Sequence, residues 1–163
     1  MSLVELLTAR RRAVLDAWRE RVRATYPEPT RAFLARGGDP FANPVGHALL
    51  AGTAALFDGL VRGADPAELA GALDEIVRIR AIQEFTAARA VGFVFFLKDA
   101  ARGAVKAAEG RPEEWRAWED RVDALALLAF DRYAQLREEV WRLKAAEARR
   151  LAGRIEEPGT EEP

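Results

Sequence analysis

The chain of 163 residues contains no cysteine and a single histidine, His47. The absence of cysteine excludes disulfides, thiol catalysis and thiolate metal sites. A transition-metal site would need carboxylates for nearly all its ligands, because only one imidazole is available. No glycine-rich phosphate loop precedes a predicted helix, and no other enzyme signature is present. We therefore predict a non-enzymatic protein with no metal, no cofactor and no catalytic residues.

An excess of one charge and a long hydrophobic run are also missing. The 25 Lys and Arg residues nearly balance the 26 Asp and Glu residues, so no global basic field favours nucleic acid or an anionic membrane. The longest apolar run, residues 90–97, has eight residues, whereas a membrane span needs about 20. Glu5 interrupts the apolar start of the chain, which is unlike a signal peptide. We expect a soluble, cytoplasmic protein that binds no nucleic acid and does not insert into membranes.

Helix signals, by contrast, occur throughout the sequence. Half of the residues are hydrophobic and 31% are charged, a globular composition, and the length suits one domain. Strand-type alternation is absent. The predicted fold is all-α, a compact helical bundle that forms a single domain over residues 1–155, followed by a disordered acidic tail over residues 156–163.

The starts of several helices are marked by capping residues, and all but the last are followed by an acid or a proline where a helix favours them. The predicted N-cap residues are Ser2, Asn43, Asp65 and Thr86. The predicted helices cover about residues 3–24, 30–36, 44–62, 66–83, 87–108 and 112–152. Glycines at positions 46, 52 and 59 lie inside the third of these helices, where we expect them to permit close helix packing.

The last predicted helix carries a heptad-type stripe whose apolar residues are separated by alternating steps of four and three. The stripe consists of Val122, Ala126, Ala129, Tyr133, Leu136, Val140 and Leu143. Between Val122 and Phe130 the helix is apolar almost all round, which predicts burial of that stretch. From Tyr133 onward only the stripe remains, flanked by Trp141. The stripe either pairs with a second copy or packs back on its own domain. The predicted dimer and output interface is Tyr133, Leu136, Val140, Trp141 and Leu143.

Seven residues are candidates for ligand binding, and each has a structural alternative. They are Phe41, Asn43, His47, Arg78, Arg80, Phe93 and Phe96. His47 is either a ligand or a partly buried histidine under the preceding loop. Phe93 and Phe96 share a helix face that either belongs to the core or lines a small-molecule pocket. Arg78 and Arg80 either keep their charged heads in water or read an anionic ligand or a partner carboxylate.

Several acids and arginines have the spacing of surface ion pairs on a helix. These pairs are Asp74–Arg78, Arg80–Glu84 and Glu138–Arg142. Each is expected to contribute a few tenths of a kcal/mol.

Four stretches of the chain resemble a known family. They are Trp18 with TYP at residues 25–27, DPFANPVG at 39–46, ALDEIVRIRAIQEF at 72–85 and AVGFVFFLK at 90–98. Over about residues 3–133 the sequence resembles the N-terminal domain of RsbRD-type co-antagonists of the stressosome. The resemblance implies a sensory module, related to non-haem globin-like turrets, that dimerises and sends a signal along a C-terminal helix. In full-length relatives that helix leads into a phosphorylatable STAS domain, and no strand-rich segment follows the helix here, so kinase binding and phosphorylation are not carried over.

The sequence thus predicts a non-enzymatic sensory or regulatory module of stress or metabolic signalling. It would act as a homodimer through its C-terminal helix, with a separate signalling protein as a possible partner. The alternative is a small-molecule or haem carrier with an apolar helical pocket. Absorbance distinguishes the two, because bound haem gives an intense Soret band.

Overall fold

The computed structural model describes residues 1–36, 39–83, 85–106 and 109–155. Gly37, Gly38, Glu84 and the predicted tail over residues 156–163 lie outside these ranges. The described residues form α-helices and two 3-10 turns, with no strand, as the all-α prediction requires. The helices are α1 (Leu3–Ala9), α2 (Arg11–Arg23), α3 (Glu28–Ala35), α4 (Pro44–Val61), α5 (Ala70–Ile82), α6 (Ala87–Val91), α7 (Phe96–Ala104) and α8 (Pro112–Ile155). The globin-like arrangement stays a prediction.

The predicted N-caps are confirmed. The Ser2 hydroxyl accepts a hydrogen bond from the Glu5 amide, and the Glu5 carboxylate accepts one from the Ser2 amide, which completes a capping box at α1. Asn43 Oδ1 accepts from the Gly46 amide at 2.8 Å at the start of α4. Asp65 and Thr86 cap the Pro66–Leu69 turn and α6 in the same way. Local sequence signals therefore fix these four starts.

Three of the predicted helices are divided or altered in the structure. The first breaks at Arg10, where no breaker residue stands and where the Arg10 guanidinium donates to the Ala104 carbonyl at the end of α7. A 3-10 turn over Pro66–Leu69 precedes α5. The predicted helix over 87–108 is split into α6 and α7 by a 3-10 turn over Gly92–Val94. Tertiary contacts decide the break at Arg10 and the break between α6 and α7.

The core lies between α2, α4, α5, α7 and the first part of α8. Its largest fully buried side chains include Trp18, Trp118, Phe57 and Phe93. The prediction that the α4 glycines permit close helix packing is confirmed at Gly52. A Cβ there would lie 2.8 Å from Ile76 Cδ1 of α5, too close for the two helices to keep their packing. By length and composition α4 could also cross a membrane, but half of it is buried inside this domain, as a core helix of a globular protein would be.

Helix α8 has 44 residues and is therefore about 66 Å long. Its proximal half, residues 112–136, packs on the domain, with Trp115, Trp118, Val122 and Leu125 buried. Its distal half, residues 137–155, leaves the domain after Arg137, which still donates to the Ala81 carbonyl, and every residue from 141 to 154 is exposed. Burial all round up to Phe130 was a wrong expectation, because Leu127 is 71% and Phe130 51% exposed. One side of the proximal half is thus packed, and the other faces solvent.

Candidate functional site

Arg80 is completely buried in the middle of the bundle. The expectation that its charged head stays in water is wrong, whereas it holds for the exposed Arg78. Arg80 follows Ile76 and Val77 by four and three residues, so it lies on the same buried side of α5. Arg78 lies on the opposite side. Helical phase relative to the apolar residues is the sequence signal that distinguishes the two arginines.

Neutral oxygens and aromatic rings surround the Arg80 guanidinium. Its nitrogens donate to Tyr26 Oη at 3.2 Å and Thr25 Oγ1 at 3.1 Å. Its Cζ lies 4.4 Å from the Phe85 ring centroid and 5.6 Å from that of Phe93, within the range of cation–π attraction. We call these five residues the Arg80 cluster. The sequence-predicted partner Glu84 lies outside the described residues.

Arg80 also caps the end of α6. Its Nη2 donates to the Arg89 carbonyl at 2.7 Å and its Nε to the Ala90 carbonyl at 3.2 Å. From the other side, Trp18 Nε1 donates to the Phe93 carbonyl at 2.6 Å. A helix end leaves carbonyls without an intrahelical donor, and here side chains of α5 and α2 supply the donors. These contacts explain why the predicted fifth helix is interrupted at this point.

Burial changes the pKa values of two groups in the Arg80 cluster. Removal from water lowers the pKa of Arg80 and raises the pKa of Tyr26. The positive charge of Arg80 acts in the opposite direction on Tyr26, and its effect is the smaller one. Tyr26 therefore stays protonated at neutral pH, and its hydroxyl oxygen accepts the hydrogen bond from Arg80.

The Arg80 cluster is in direct contact with α8. The Tyr133 hydroxyl donates to the Phe85 carbonyl at 2.5 Å, and Tyr133 is only 8% exposed. Tyr133, predicted in the dimer and output interface, instead follows the alternative in which the stripe packs back on its own domain, because its ring is buried and its hydroxyl is bonded within its own chain. Leu136 also packs against the core cluster. A chain of contacts runs from α2 through Arg80 and Phe85 to α8.

A bidentate ion pair adds a second link between α5 and α8. Arg132 on α8 donates through two nitrogens to the two carboxylate oxygens of Asp74. The predicted pair of Asp74 with Arg78 is therefore wrong, because Arg132 binds both carboxylate oxygens of Asp74 instead. The predicted pair of Glu138 with Arg142 is present, at 3.6 Å.

The seven candidate ligand residues do not gather at one site. Arg80 and Phe93 lie in the buried cluster, and Phe96 is half-buried beneath the Arg21 guanidinium, which lies 4.6 Å from its ring centroid. Asn43 is buried as the cap of α4, and its side-chain amide donates to the Phe33 carbonyl at 3.1 Å. Phe41 is 95% exposed.

The remaining two candidates share an open surface depression. His47 is exposed rather than packed beneath the preceding loop as the structural alternative predicted. With Arg78, Asp74 and Glu75 it lines a depression of about 510 Å³ between the start of α4 and α5. A separate cavity beside Arg19, between α2, α3 and α4, has a volume of about 10 Å³, room for about one water molecule. Among the described residues, no group of three metal-ligating side chains occurs.

The solvent-facing side of α8 carries large apolar residues that the heptad stripe did not predict. Leu127 is 71%, Phe130 51% and Trp141 66% exposed. Trp141 follows Phe130 by 11 residues, three helical turns, so both lie on the same side of α8. We call this surface the outer face of α8. Val140 is half-buried and Leu143 71% exposed, and both continue the packed side instead.

Comparison with known proteins identifies the family. No curated protein and no solved structure matches the chain. The model of one protein family, the RsbT co-antagonist protein rsbRD N-terminal domain, matches residues 12–148. The match includes all of α2 but its first residue, α3 to α7, the whole Arg80 cluster and most of α8. The chain therefore belongs to the rsbRD N-terminal domain family, a family of stressosome-type signalling domains.

Proposed function

We propose that this protein is a non-enzymatic sensory or regulatory module of stress or metabolic signalling that works as a homodimer. In this proposal the conformation of the folded bundle is the signal, and α8 transmits that conformation to a partner. Membership of a signalling family supports the general role. The contacts of Tyr133 with Phe85, and of Arg132 with Asp74, support α8 as the output element because they tie it to the interior.

The observation that carries the dimer is the exposure of Leu127, Phe130 and Trp141 along one side of a single helix. Leaving large apolar side chains in water forgoes roughly 1.5–3 kcal/mol for each one. Exposed aromatic residues on one contiguous surface are typical of interaction sites. A two-fold interface buries the same surface on both copies and is the commonest arrangement of soluble homo-oligomers. We assign the dimer contact to the outer face of α8.

The distal half of α8 has a second exposed side, and we assign the output to it. Val140 and Leu143 continue the packed seam beyond the point where the domain ends. A separate signalling protein that binds this side would contact the domain boundary as well, where Tyr133 and Leu136 are seated. Changes in the bundle would then alter the surface that the partner meets.

Light scattering after size exclusion tests the dimer. We expect the wild-type chain to be a dimer at micromolar concentration and the double variant Leu127→Glu with Trp141→Glu to be a monomer of unchanged helical content. The matched control, Val140→Glu with Leu143→Glu, adds the same charges on the other side and should remain a dimer. A monomeric wild type, or equal dissociation of both double variants, would show that the outer face is not the interface.

A further inference from the structure

We propose that the homodimer contact extends from the outer face of α8 onto the start of α7, where Phe95 forms one apolar patch with Leu127 and Phe130. This inference rests on the proposed dimer and adds a residue from a different element to its interface. It is carried by two ion pairs between α7 and α8, by the exposed side chains beside them and by the size of the surface. We call these three residues the α7–α8 patch.

Two ion pairs show how α7 lies along α8. Lys98 Nζ lies 2.5 Å from Asp123 Oδ1, and Arg102 Nε lies 2.6 Å from Glu119 Oε1. Four residues forward along α7 correspond to four residues backward along α8, so the two helices run antiparallel in this register. Each turn toward the start of α7 is therefore a turn toward the distal half of α8.

The same register brings Phe95 beside the outer face of α8. Phe95 has helical backbone angles and precedes Lys98 by one turn, so it is level with the residue before Leu127. Lys98 Nζ, which binds Asp123, also lies 5.8 Å from the Phe95 ring centroid. Leu127 and Phe130 follow Asp123 by four and seven residues, so they lie on the side of α8 that faces Lys98. Since Phe95 is 46% exposed, three accessible apolar side chains adjoin on one surface.

The size of the outer face also requires a neighbouring element. Specific interfaces bury about 800 Å² on each partner. From the exposed fractions of Leu127, Phe130 and Trp141, these three side chains present roughly 380 Å², if a fully exposed large side chain presents about 200 Å². They supply about half of an ordinary contact. A stable dimer must therefore cover more than one helix, and α7 adjoins the outer face on the side of Asp123.

The charged groups between α7 and the patch favour a second copy of the chain as the occupant. A two-fold interface sets residues near its axis opposite their own copies, so an unpaired charge there would face a like charge and disfavour association. Beside Phe95, however, the Lys98 ammonium is bound to the Asp123 carboxylate. The exposed Asp131 lies about 80° round the helix from Asp123, at the edge of the patch. The patch can therefore meet its own copy without repulsion from the Lys98–Asp123 pair.

Three single substitutions test the patch by light scattering after size exclusion at micromolar concentration. Phe95→Glu should convert the dimer to a monomer as completely as Leu127→Glu does, although the two residues lie on different elements. The matched control is Phe33→Glu on α3, because Phe33 is 45% and Phe95 46% exposed. The control should remain a dimer, and circular dichroism should show the same helical content for all three variants.

The outcomes separate this inference from the dimer on which it rests. A dimeric Phe95→Glu together with a monomeric Leu127→Glu would confine the contact to α8, which overturns the inference and keeps the proposed dimer. A monomeric wild type would remove the dimer itself. Dissociation of Phe33→Glu to the same extent as Phe95→Glu would show that the sensitivity is not specific to the patch, which also overturns the inference.

A second variant keeps the test valid if Phe95→Glu loses helical content. Phe95→Ala removes the ring without adding a charge and should raise the dissociation constant roughly tenfold, as truncation of an interface aromatic residue does, whereas Phe33→Ala should change it by less than about twofold. Sedimentation velocity over a dilution series measures both values. Equal dissociation constants for the two alanine variants would contradict a place for Phe95 in the contact.

Ionic strength distinguishes an apolar contact from a charged one. Because the Lys98–Asp123 pair is formed within the chain, the dissociation constant should not rise when NaCl is increased from about 50 to about 500 mM. A rise of about tenfold over this range would assign the contact to charged residues instead of the α7–α8 patch.

Discussion

The interior around Arg80 and the distal half of α8 use basic side chains in opposite ways. Arg80 is completely buried, and its four described hydrogen bonds go to neutral oxygens of α6 and of the turn after α2. The five basic residues of 141–155 lie on a helix that is exposed from residue 141 to residue 154. In the first region a buried cation joins elements of the fold, and in the second the basic side chains lie on an exposed helix. Substitutions around Arg80 should therefore change the free energy of unfolding, whereas substitutions in the distal half of α8 should change dimerisation.

The largest expected effect is on the interior. Arg80→Met should lower the free energy of unfolding by about 2–4 kcal/mol, because it leaves the buried or part-buried oxygens of Tyr26, Thr25 and α6 without their donor. The matched control Arg78→Met, two residues away on the exposed side, should change it by less than about 1 kcal/mol. Urea unfolding of both variants measures the difference. If Arg80→Met were as stable as the wild type, desolvation of the guanidinium would offset all of its contacts, and the cluster would not hold the fold together.

The distal half should respond in the opposite manner. Trp141→Ala should weaken the dimer about tenfold or more, as truncation of a central interface tryptophan does. The unfolding free energy, measured at a concentration where both chains are monomeric, should change by less than about 0.5 kcal/mol. Sedimentation velocity over a dilution series provides the dissociation constant. A destabilised Trp141→Ala monomer with an unaltered dimer would assign Trp141 to the bundle instead.

Tyr133 lies where the two regions meet, and its hydroxyl allows the link to be tested alone. Tyr133→Phe removes the hydrogen bond to the Phe85 carbonyl but keeps the ring, so we expect a loss of about 1 kcal/mol. Hydrogen exchange should also become faster at the amides around α5 and the first part of α8, and unchanged beyond residue 141. Unchanged exchange near Phe85 would show that this bond does not couple α8 to the cluster.

The sequence predicts those features of the fold whose signals lie in neighbouring residues, and it does not predict those that depend on contacts distant in sequence. The caps at Ser2, Asn43, Asp65 and Thr86 are local, and the structure contains all four. The break at Arg10 has no local signal, because the contact with Ala104 that accompanies it is 94 residues distant in sequence. The heptad stripe identifies the side of α8 that packs, since Val122, Ala129 and Tyr133 are buried, but periodicity alone could not decide between packing on the same domain and pairing with a second copy. The spacing of Arg80 from Ile76 and Val77 on α5 is a sequence signal for its burial. The expectation that an arginine keeps its charged head in water did not use that spacing.

The smallest expected effect concerns an ion pair at the surface of the bundle, between α2 and α4. Arg11 donates to both carboxylate oxygens of Asp58 at 2.7 Å, and this hydrogen bonding lowers the pKa of Asp58. Because the folded pKa lies below the unfolded one, the stabilising contribution is present above the unfolded pKa, near 3.9, and is lost as pH falls through the folded value. Both side chains are nearly half exposed, so solvent screening keeps the contribution well under 1 kcal/mol. Asp58→Asn should therefore melt slightly below the wild type at pH 7, and the difference should vanish in acid. A difference in melting temperature that persists at pH 2 would mean that Asp58 acts through packing rather than through its charge.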